Sequence, residues 1–434
     1  MPNLRPKRAG GKSHADVTSR DKIEEDGTLL QNGPQIIKRI LRVLSAREIH
    51  RVSGVCRTWQ KYAALVLKER RRVLTIITSK QNRRRTEREV IVDNPETKRF
   101  LRDLDMDCGL AIMFREFERR SLDTSPDTSS GAEVEDRMDF EAMDSHLSPS
   151  STVIGALCST RIFGTSADWS GREQQFPYQG LSALLVPKSL PEGTQISHFS
   201  LSLTQAKKMV KSELNRATFA WAYQWPKDQV TKCIIVMAAK FVETQMHQEL
   251  LSAIRSLQDG DVALAGGVTN EVYSSEFSID ETELYRASEY DDDYDEESEE
   301  YFSIMHPAYV GIAFGGENVR AASLVIGEDD RTKESVGKRL TELKAKVEAW
   351  GECRQKFGFM FASCSRGRPL IDADNAAAVV FKELMPDIPL TGFFSNGEFG
   401  WDFPLPLAQS TKKPKLSDNF VVDCAVTIAI VGFV

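Results

Sequence analysis

The chain lacks the signatures of most catalytic chemistries. Its seven cysteines have no paired spacing, so neither a zinc site nor a disulfide framework is expected, and a reducing compartment follows. The six histidines, His14, His50, His146, His198, His247 and His306, are dispersed, and none falls in a metal-binding or hydrolase motif. No GxxxxGK[ST] loop is present to cradle phosphates. No apolar run reaches the roughly eighteen residues that cross a bilayer. The closing VVDCAVTIAIVGFV is interrupted by Asp423 and reads as a buried strand, and the N-terminal residues have no apolar core of a secretory leader. The expectation is therefore a protein with no catalytic residues, metal or cofactor, no membrane partner, and a cytoplasmic and nuclear location.

What is present is an ordinary globular composition, 41% hydrophobic and 27% charged over 434 residues, with room for two or three domains. The net charge of −7 is unevenly placed. Residues 38–88 hold sixteen Lys/Arg and three Asp/Glu, whereas Asp291–Glu300 reads DDDYDEESEE. The basic clusters Arg70–Arg72 and Arg83–Arg85 have no interleaved aromatics, so a solvated helix face is favoured over nucleic acid. Lys7-Arg8 and Arg83–Arg85 are the candidate nuclear-import signals.

Residues 30–62 carry the strongest local pattern. Ile36, Ile37, Ile40, Leu41 and Leu44 recur at helical spacing behind Pro34, a residue suited to a helix start. Ser45-Ala-Arg-Glu48 has the form of a capping box, opening a second helix with Ile49 and Val52. A third helix holds Val55, Cys56, Trp59 and Tyr62. Three helices this short leave apolar surface uncovered, which calls for a partner.

These residues resemble the F-box, the module by which ubiquitin-ligase receptors bind Skp1. The resemblance rests on Ile40-Leu41, Leu44, Glu48-Ile49, Val55-Cys56-Arg57 and Trp59. Asn32-Gly33 stands where the family opens with Leu-Pro. It implies Skp1 contacts at Pro34, Ile36, Ile37, Ile40, Leu41, Leu44, Ile49, Val52, Val55, Cys56 and Trp59.

Downstream, a β-branched run at Val73–Thr78 follows without a flexible linker, implying a fixed relation between module and globule. Strands are expected at Val153–Leu157, Leu181–Val186, Cys233–Ala238, Val262–Ala265, Val310–Phe314, Phe357–Ala362 and Leu390–Phe394. Helices are expected at Gln205–Leu214, around Met246–Leu257, along Val336, Leu340, Leu343, Val347 and Trp350, and along Ala377–Leu384. The alternation predicts an α/β fold of mixed sheets with flanking helices, preceded by the small all-α module. Residues 120–151, rich in Ser and Asp, read as a disordered insertion, with Ser125-Pro126 and Ser148-Pro149 as candidate phosphosites. The acidic run reads as a solvated loop over about 280–301, able to dock on the basic face of the module.

Two glycine-bearing segments, Gly358–Gly367 and Leu390–Gly400, together with Ala265-Gly266-Gly267, are similar to the signatures of the FIST sensory domain. An F-box followed by FIST halves is similar to the F-box only protein 22 family. That resemblance implies a disordered tail at 1–27, an F-box at 28–72, and FIST N- and C-terminal domains at 73–270 and 271–434. It also implies a substrate or ligand pocket at Gly266, Gly267, Ser363, Cys364, Arg366, Gly367, Asn396, Gly397 and Glu398. Arg366 is a forked donor suited to a carboxylate, and the structural alternative pairs it with Glu398. Cys364 is expected to be buried and inert.

The leading reading is a non-catalytic substrate receptor of an SCF ubiquitin ligase, binding Skp1 and through it a cullin-RING core, with protein substrates held by the globule for proteasomal degradation. The alternative is a small-ligand-sensing domain with the helical module as an accessory contact.

Overall fold

The computed structural model describes residues 33–79, 91–116, 129–158, 162–165, 180–211, 230–256, 258, 262–277, 305–366, 376–404 and 419–434. The N-terminal tail, Arg83–Arg85, Ser125-Pro126, the acidic run and Gly367 lie outside these residues. Two compact units are present. One comprises residues up to Arg70 together with Asp103–Met106, and the other comprises Arg71–Arg102 and Asp107–Val434.

The first unit contains helices α1 (Pro34–Arg42), α2 (Ala46–Ser53) and α3 (Arg57–Glu69). The expected capping box is formed. The Ser45 N–H donates to Glu48 Oε2 at 2.8 Å, and the Glu48 N–H donates to Ser45 Oγ at 3.4 Å. Ser45 thereby holds the Glu48 carboxyl below its usual range. Arg70 closes the other end of α1. Its Nη2 donates to the carbonyls of Leu41 (3.2 Å) and Arg42 (2.9 Å), and its Nη1 to those of Leu44 (2.8 Å) and Asp105 (2.5 Å). A cation on carbonyls left over at a helix end is favoured by hydrogen bonding and by the helix dipole. Within the basic stretch, Arg70 is thus a buttress rather than part of a solvated face.

The second unit runs one pattern three times: strand, helix, strand, helix, then three strands. The first pass is β1 (Leu74–Ser79), α4 (Pro95–Arg102), β2 (Cys108–Glu116), α5 (Ser129–His146), β3 (Thr152–Cys158), β4 (Ile162–Thr165) and β5 (Gly180–Pro187). The second is β6 (Gln195–Leu201), α6 (Leu203–Lys211), β7 (Thr231–Ala239), α7 (Thr244–Ser256), β8 (Ala263–Thr269), β9 (Glu271–Ser274) and β10 (Tyr309–Gly315). The third is β11 (Val319–Ile326), α8 (Lys333–Glu348), β12 (Gln355–Ser363), α9 (Ala376–Leu384), β13 (Leu390–Ser395), β14 (Glu398–Trp401) and β16 (Val426–Phe433), with the two-residue β15 (Val421–Val422) added before the last strand.

Each pass builds a sheet and lends one strand to another. The sheets run β1-β5-β2-β3-β9, β6-β10-β7-β8-β14-β15 and β11-β16-β12-β13-β4. In each, a parallel pair joined by a helix (β2/β3, β7/β8, β12/β13) lies between antiparallel neighbours. The borrowed strands β9, β14 and β4 close a cycle of three sheets. The expected boundary at residue 270 lies between β8 and β9, inside the second pass. The mixed α/β class holds.

All three sheets contribute to one inner core that includes Phe114, Met237, Phe314 and Phe361. Outside it, Met209, Leu250, Leu251 and Ile254 belong to a core shared with the second sheet, and Val336, Leu340, Leu343, Val347 and Phe381 to one shared with the third. Strands buried on both faces read as continuous apolar runs, as β3, β5, β8, β10 and β16 do.

The repeats share a glycine on the second strand of each parallel pair: Gly155 opposite Met113, Gly266 opposite Val236, and Gly392 opposite Met360. A Cβ at these positions would lie 1.8, 1.9 and 1.8 Å from the carbonyl oxygens of Met113, Val236 and Met360. Backbone cannot yield that much without displacing a central strand. Substitution of any one by alanine should cost about 1–3 kcal/mol as overpacking, with similar losses at all three sites in denaturant melts. A neutral result at one position would show that its strand pair can spread.

The expected disordered insertion at 120–151 is corrected over its described part. Ser129–His146 is the helix α5, with Asp139, Phe140 and Met143 buried. Asp139 anchors it: Oδ2 accepts from Arg115 Nε at 2.5 Å and Oδ1 from the Val92 N–H at 2.8 Å. Both partners of the ion pair are all but sealed from solvent, at 3% and 1% exposure.

Candidate functional site

Helix α1 has two apolar faces. Ile37 and Leu41 turn inward and pack with Ile49, Ala63 and Val66 in the helical unit's own core. Ile36, Ile40 and Val43, spaced by four and three residues, form an outward stripe at 47%, 36% and 82% exposure. Val55, beyond α2, is 70% exposed. Pro34, Leu44, Val52, Cys56 and Trp59 are half-buried. The expected contact set is therefore divided. Ile37, Leu41 and Ile49 hold the unit together and are not available to a partner, while Ile36, Ile40 and Val55 are. Val43 joins them, and its place on the same helical stripe was the signal that could have found it.

The second candidate lies in the globule, at the carboxyl ends of the parallel strands β12 and β13, where Ser363 and Ser395 are paired in register. In open α/β sheets such ends are where ligands gather. After Ser363 the chain turns through a 3-10 turn, Cys364–Arg366. After Ser395 it turns through Asn396-Gly397, with Gly397 at φ +144°, into Glu398. The loop Asp423–Ala425 closes the third side.

Glu398 is fully buried. Its Oε1 accepts from Ser395 Oγ at 2.6 Å and its Oε2 from the Ala425 N–H at 3.0 Å. Burial pushes this carboxyl up to about 7, against the opposing pull of those hydrogen bonds. Gly267 faces Glu398 across the β8–β14 pair, and a Cβ there would lie 2.7 Å from Ser395 Cβ, so its bareness admits the cluster. Gly266 instead abuts the Val236 carbonyl and does not reach the cluster. Ser363 Oγ is 2.8 Å from Ser365 Oγ, which donates toward Cys424 Sγ at 3.3 Å.

Two expectations change here. Cys364 is exposed rather than buried, because β12 ends one residue earlier and the turn carries the thiol outward, 3.8 Å from Asn396 Oδ1. Arg366 and Glu398 are not hydrogen-bonded to each other. Arg366 is 4% exposed and spends its fork on the carbonyls of Ile326, Gly327 and Asp330, tying down the chain after β11. Burial lowers its affinity for its proton, while the negative charges of Asp330 and Glu398 oppose that effect.

The linkage of Glu398 to stability has a definite sign. A carboxyl that binds its proton more tightly folded than unfolded contributes fully at acid pH, and that contribution is lost as pH rises through about 7. Glu398→Gln keeps a donor for Ser395 and an acceptor for the Ala425 N–H. Its unfolding free energy should exceed the wild type's by up to about 3 kcal/mol at pH 8.5 and match it only below about pH 4, where the unfolded carboxyl is protonated too, at about 1.4 kcal/mol for each tenfold change in proton affinity. Equal pH slopes in the two proteins would refute the assignment. His247 acts in the opposite direction. Buried with Nδ1 2.9 Å from Tyr309 Oη, it is pushed down to about 4, so its contribution is lost as pH falls from 6.5 toward that value.

Among the described residues no group of three or more His, Cys, Asp or Glu side chains could hold a metal ion, and no helix is long and apolar enough to cross a membrane.

Two known proteins match most of the chain. One is F-box only protein 22 of Homo sapiens, 24% identical over 387 residues, and the other is its counterpart in Pongo abelii, 24% identical over 390 residues. Each match covers 86% of this chain and 86% of the relative. The chain is similar to F-box only protein 22. A match of that length far exceeds the helical unit, so the similarity includes the repeats. No family model matches the chain. A crystal structure of cyanuric acid hydrolase from A. caulinodans aligns over 83% of this chain and 99% of its own, with a TM-score of 0.34 and 9% identity.

Proposed function

We propose that the chain is a substrate receptor of an SCF ubiquitin ligase, with the helical unit binding Skp1 and the globule presenting protein substrates. The observation that carries this reading is the outward stripe of Ile36, Ile40 and Val43. It is an apolar helix face left in water on a unit whose own core is already complete. An amphipathic helix with anchors at this spacing is suited to laying that face in a partner's groove. The similarity to F-box only protein 22 supports reading that groove as Skp1's, with a cullin-RING core reached through it.

In this role the chain supplies proximity and no reacting group; ubiquitin transfer is performed by the enzyme that the complex recruits. The FIST resemblance, the degradation of captured substrates and a cytoplasmic and nuclear location belong to the same reading. In the ligand-sensing alternative the Nη atoms of Arg366 are held by backbone carbonyls, which leaves its buried Nε as the donor for a carboxylate.

Affinity capture of the full chain from cells with neddylation inhibited provides the test. Skp1 and a cullin should be recovered together with proteins whose abundance rises under inhibition. Recovery of neither Skp1 nor a cullin would overturn the reading.

A further inference from the structure

We infer that the unit docking on Skp1 is discontinuous: Asp103–Met106, which follows α4 in the sequence, is its closing piece, and Arg70 is the positioning residue that sets the end of α1 through it. The inference rests on the Skp1 reading of the α1 stripe. Asp103–Met106 belongs to the same compact unit as α1, α2 and α3, with Leu104 and Met106 buried. Two successive carbonyls of this segment each take a donor from the helices. The Leu104 carbonyl accepts from the Ala46 N–H at 2.8 Å, and the Asp105 carbonyl accepts from Arg70 Nη1 at 2.5 Å.

The first turn of a helix holds N–H groups with no partner inside the helix. In α2 the capping box satisfies the Ser45 and Glu48 N–H groups, and Leu104 satisfies that of Ala46. The carbonyls at the end of α1 are the complementary case. Arg70 gathers those of Leu41, Arg42 and Leu44 and spans from them to Asp105. A planar fork can bridge carbonyls that a single ammonium cannot reach together. Val43, the most exposed residue of the outward stripe, lies between Arg42 and Leu44, whose carbonyls this guanidinium holds. The last anchor of the stripe is therefore set by the residue that ends α3 and by a carbonyl 35 residues beyond it.

Loosening this clamp leaves the unit's own core in place, since Ile37, Leu41, Ile49, Ala63 and Val66 pack with one another. What is lost is the fixed end of α1. Docking geometry is then held by only a fraction of the molecules, and the apparent affinity falls by that fraction. A contiguous piece ending at residue 72 would keep Arg70 but lack its Asp105 partner and the acceptor for Ala46.

The test uses the full chain, with purified Skp1 titrated into wild type, Arg70→Lys and Ala46→Pro, and the thermal melt of each recorded. Lysine keeps a cation at the helix end, so a role through the helix dipole alone would survive, whereas the fork is lost. Proline is accepted at the first position of a helix. Ser45, at φ −64° and ψ 161°, already has the extended backbone that a residue before proline adopts. Ala46→Pro thus removes the bond to Leu104 and leaves the capping box. Arg70→Lys should weaken Skp1 binding about tenfold and Ala46→Pro about fivefold, each at an unchanged melting temperature. Hydrogen exchange at the end of α1 should quicken in Arg70→Lys. Wild-type affinity in Arg70→Lys would overturn the role of Arg70, and wild-type affinity in Ala46→Pro would remove Asp103–Met106 from the docking unit. Weaker binding that follows a lowered melting temperature would overturn positioning in favour of a loss of folding. A wild type that binds no Skp1 would instead overturn the Skp1 reading, and this inference with it.

Discussion

Replacing Asp139 by alanine should destabilise the globule by about 3–5 kcal/mol, because it leaves a buried guanidinium without its charge partner. Arg115 and Asp139 are exposed by only 3% and 1%, and their contact is 2.5 Å. The same carboxyl also satisfies the Val92 N–H, so the substitution orphans a second buried donor. The loss should appear in denaturant unfolding as a lower midpoint with little change in slope. Substituting the pair together, Arg115→Met with Asp139→Leu, should recover much of the loss, since replacing a buried ion pair by apolar side chains is often neutral or better. The effect also tests the packing of α5. A free loop at 129–146 would make Asp139→Ala nearly silent.

Placing charge on the outward stripe should abolish adaptor binding without unfolding the protein. In Ile36→Asp with Ile40→Asp both side chains already meet water, so the melting temperature should hold while recovery of Skp1 and a cullin falls at least about tenfold. Interface anchors typically carry about 2 kcal/mol or more each. Leu41→Ala would give the same loss by another route. It empties part of a closed core at a cost of about 2–5 kcal/mol, and the helical unit would melt. Comparing the two variants separates contact from folding. Equal recovery from wild type and the Ile36/Ile40 variant would remove the stripe from the interface.

Much of the local structure is legible in the sequence because its causes are local. The box Ser45–Glu48 fixes the start of α2, and the stripe Val336, Leu340, Leu343 and Val347 fixes the buried face of α8. The β7–α7–β8 unit announces itself by a change of period on either side of one helix. What escapes are features set by distant partners. The threefold pattern is hidden because the repeats share topology and three glycines, while β4, β9 and β14 find their neighbours in other sheets. Helix α5 is masked by its Ser- and Asp-rich composition, and only Phe140, Met143 and a charge that needs Arg115 betray it.

The candidate sites follow the same division. That α1 is apolar is written in its residues. Which of its two faces is inward depends on Ile49, Ala63 and Val66, which lie on other helices. Similarly, the segments at Ser363–Arg366 and Ser395–Glu398 do come together, because β12 and β13 are parallel neighbours. The partners of Arg366 could not be foreseen, since they are carbonyls after β11, and a carbonyl has no signature in sequence.

The central claim is that the outward face of α1 is a docking surface for Skp1, and a titration of purified Skp1 into the purified full chain tests it most directly. The account predicts saturable binding by wild type, and loss of that binding in Ile36→Asp with Ile40→Asp at an unchanged melting temperature. Absence of binding by wild type, or undiminished binding by the folded variant, would contradict it.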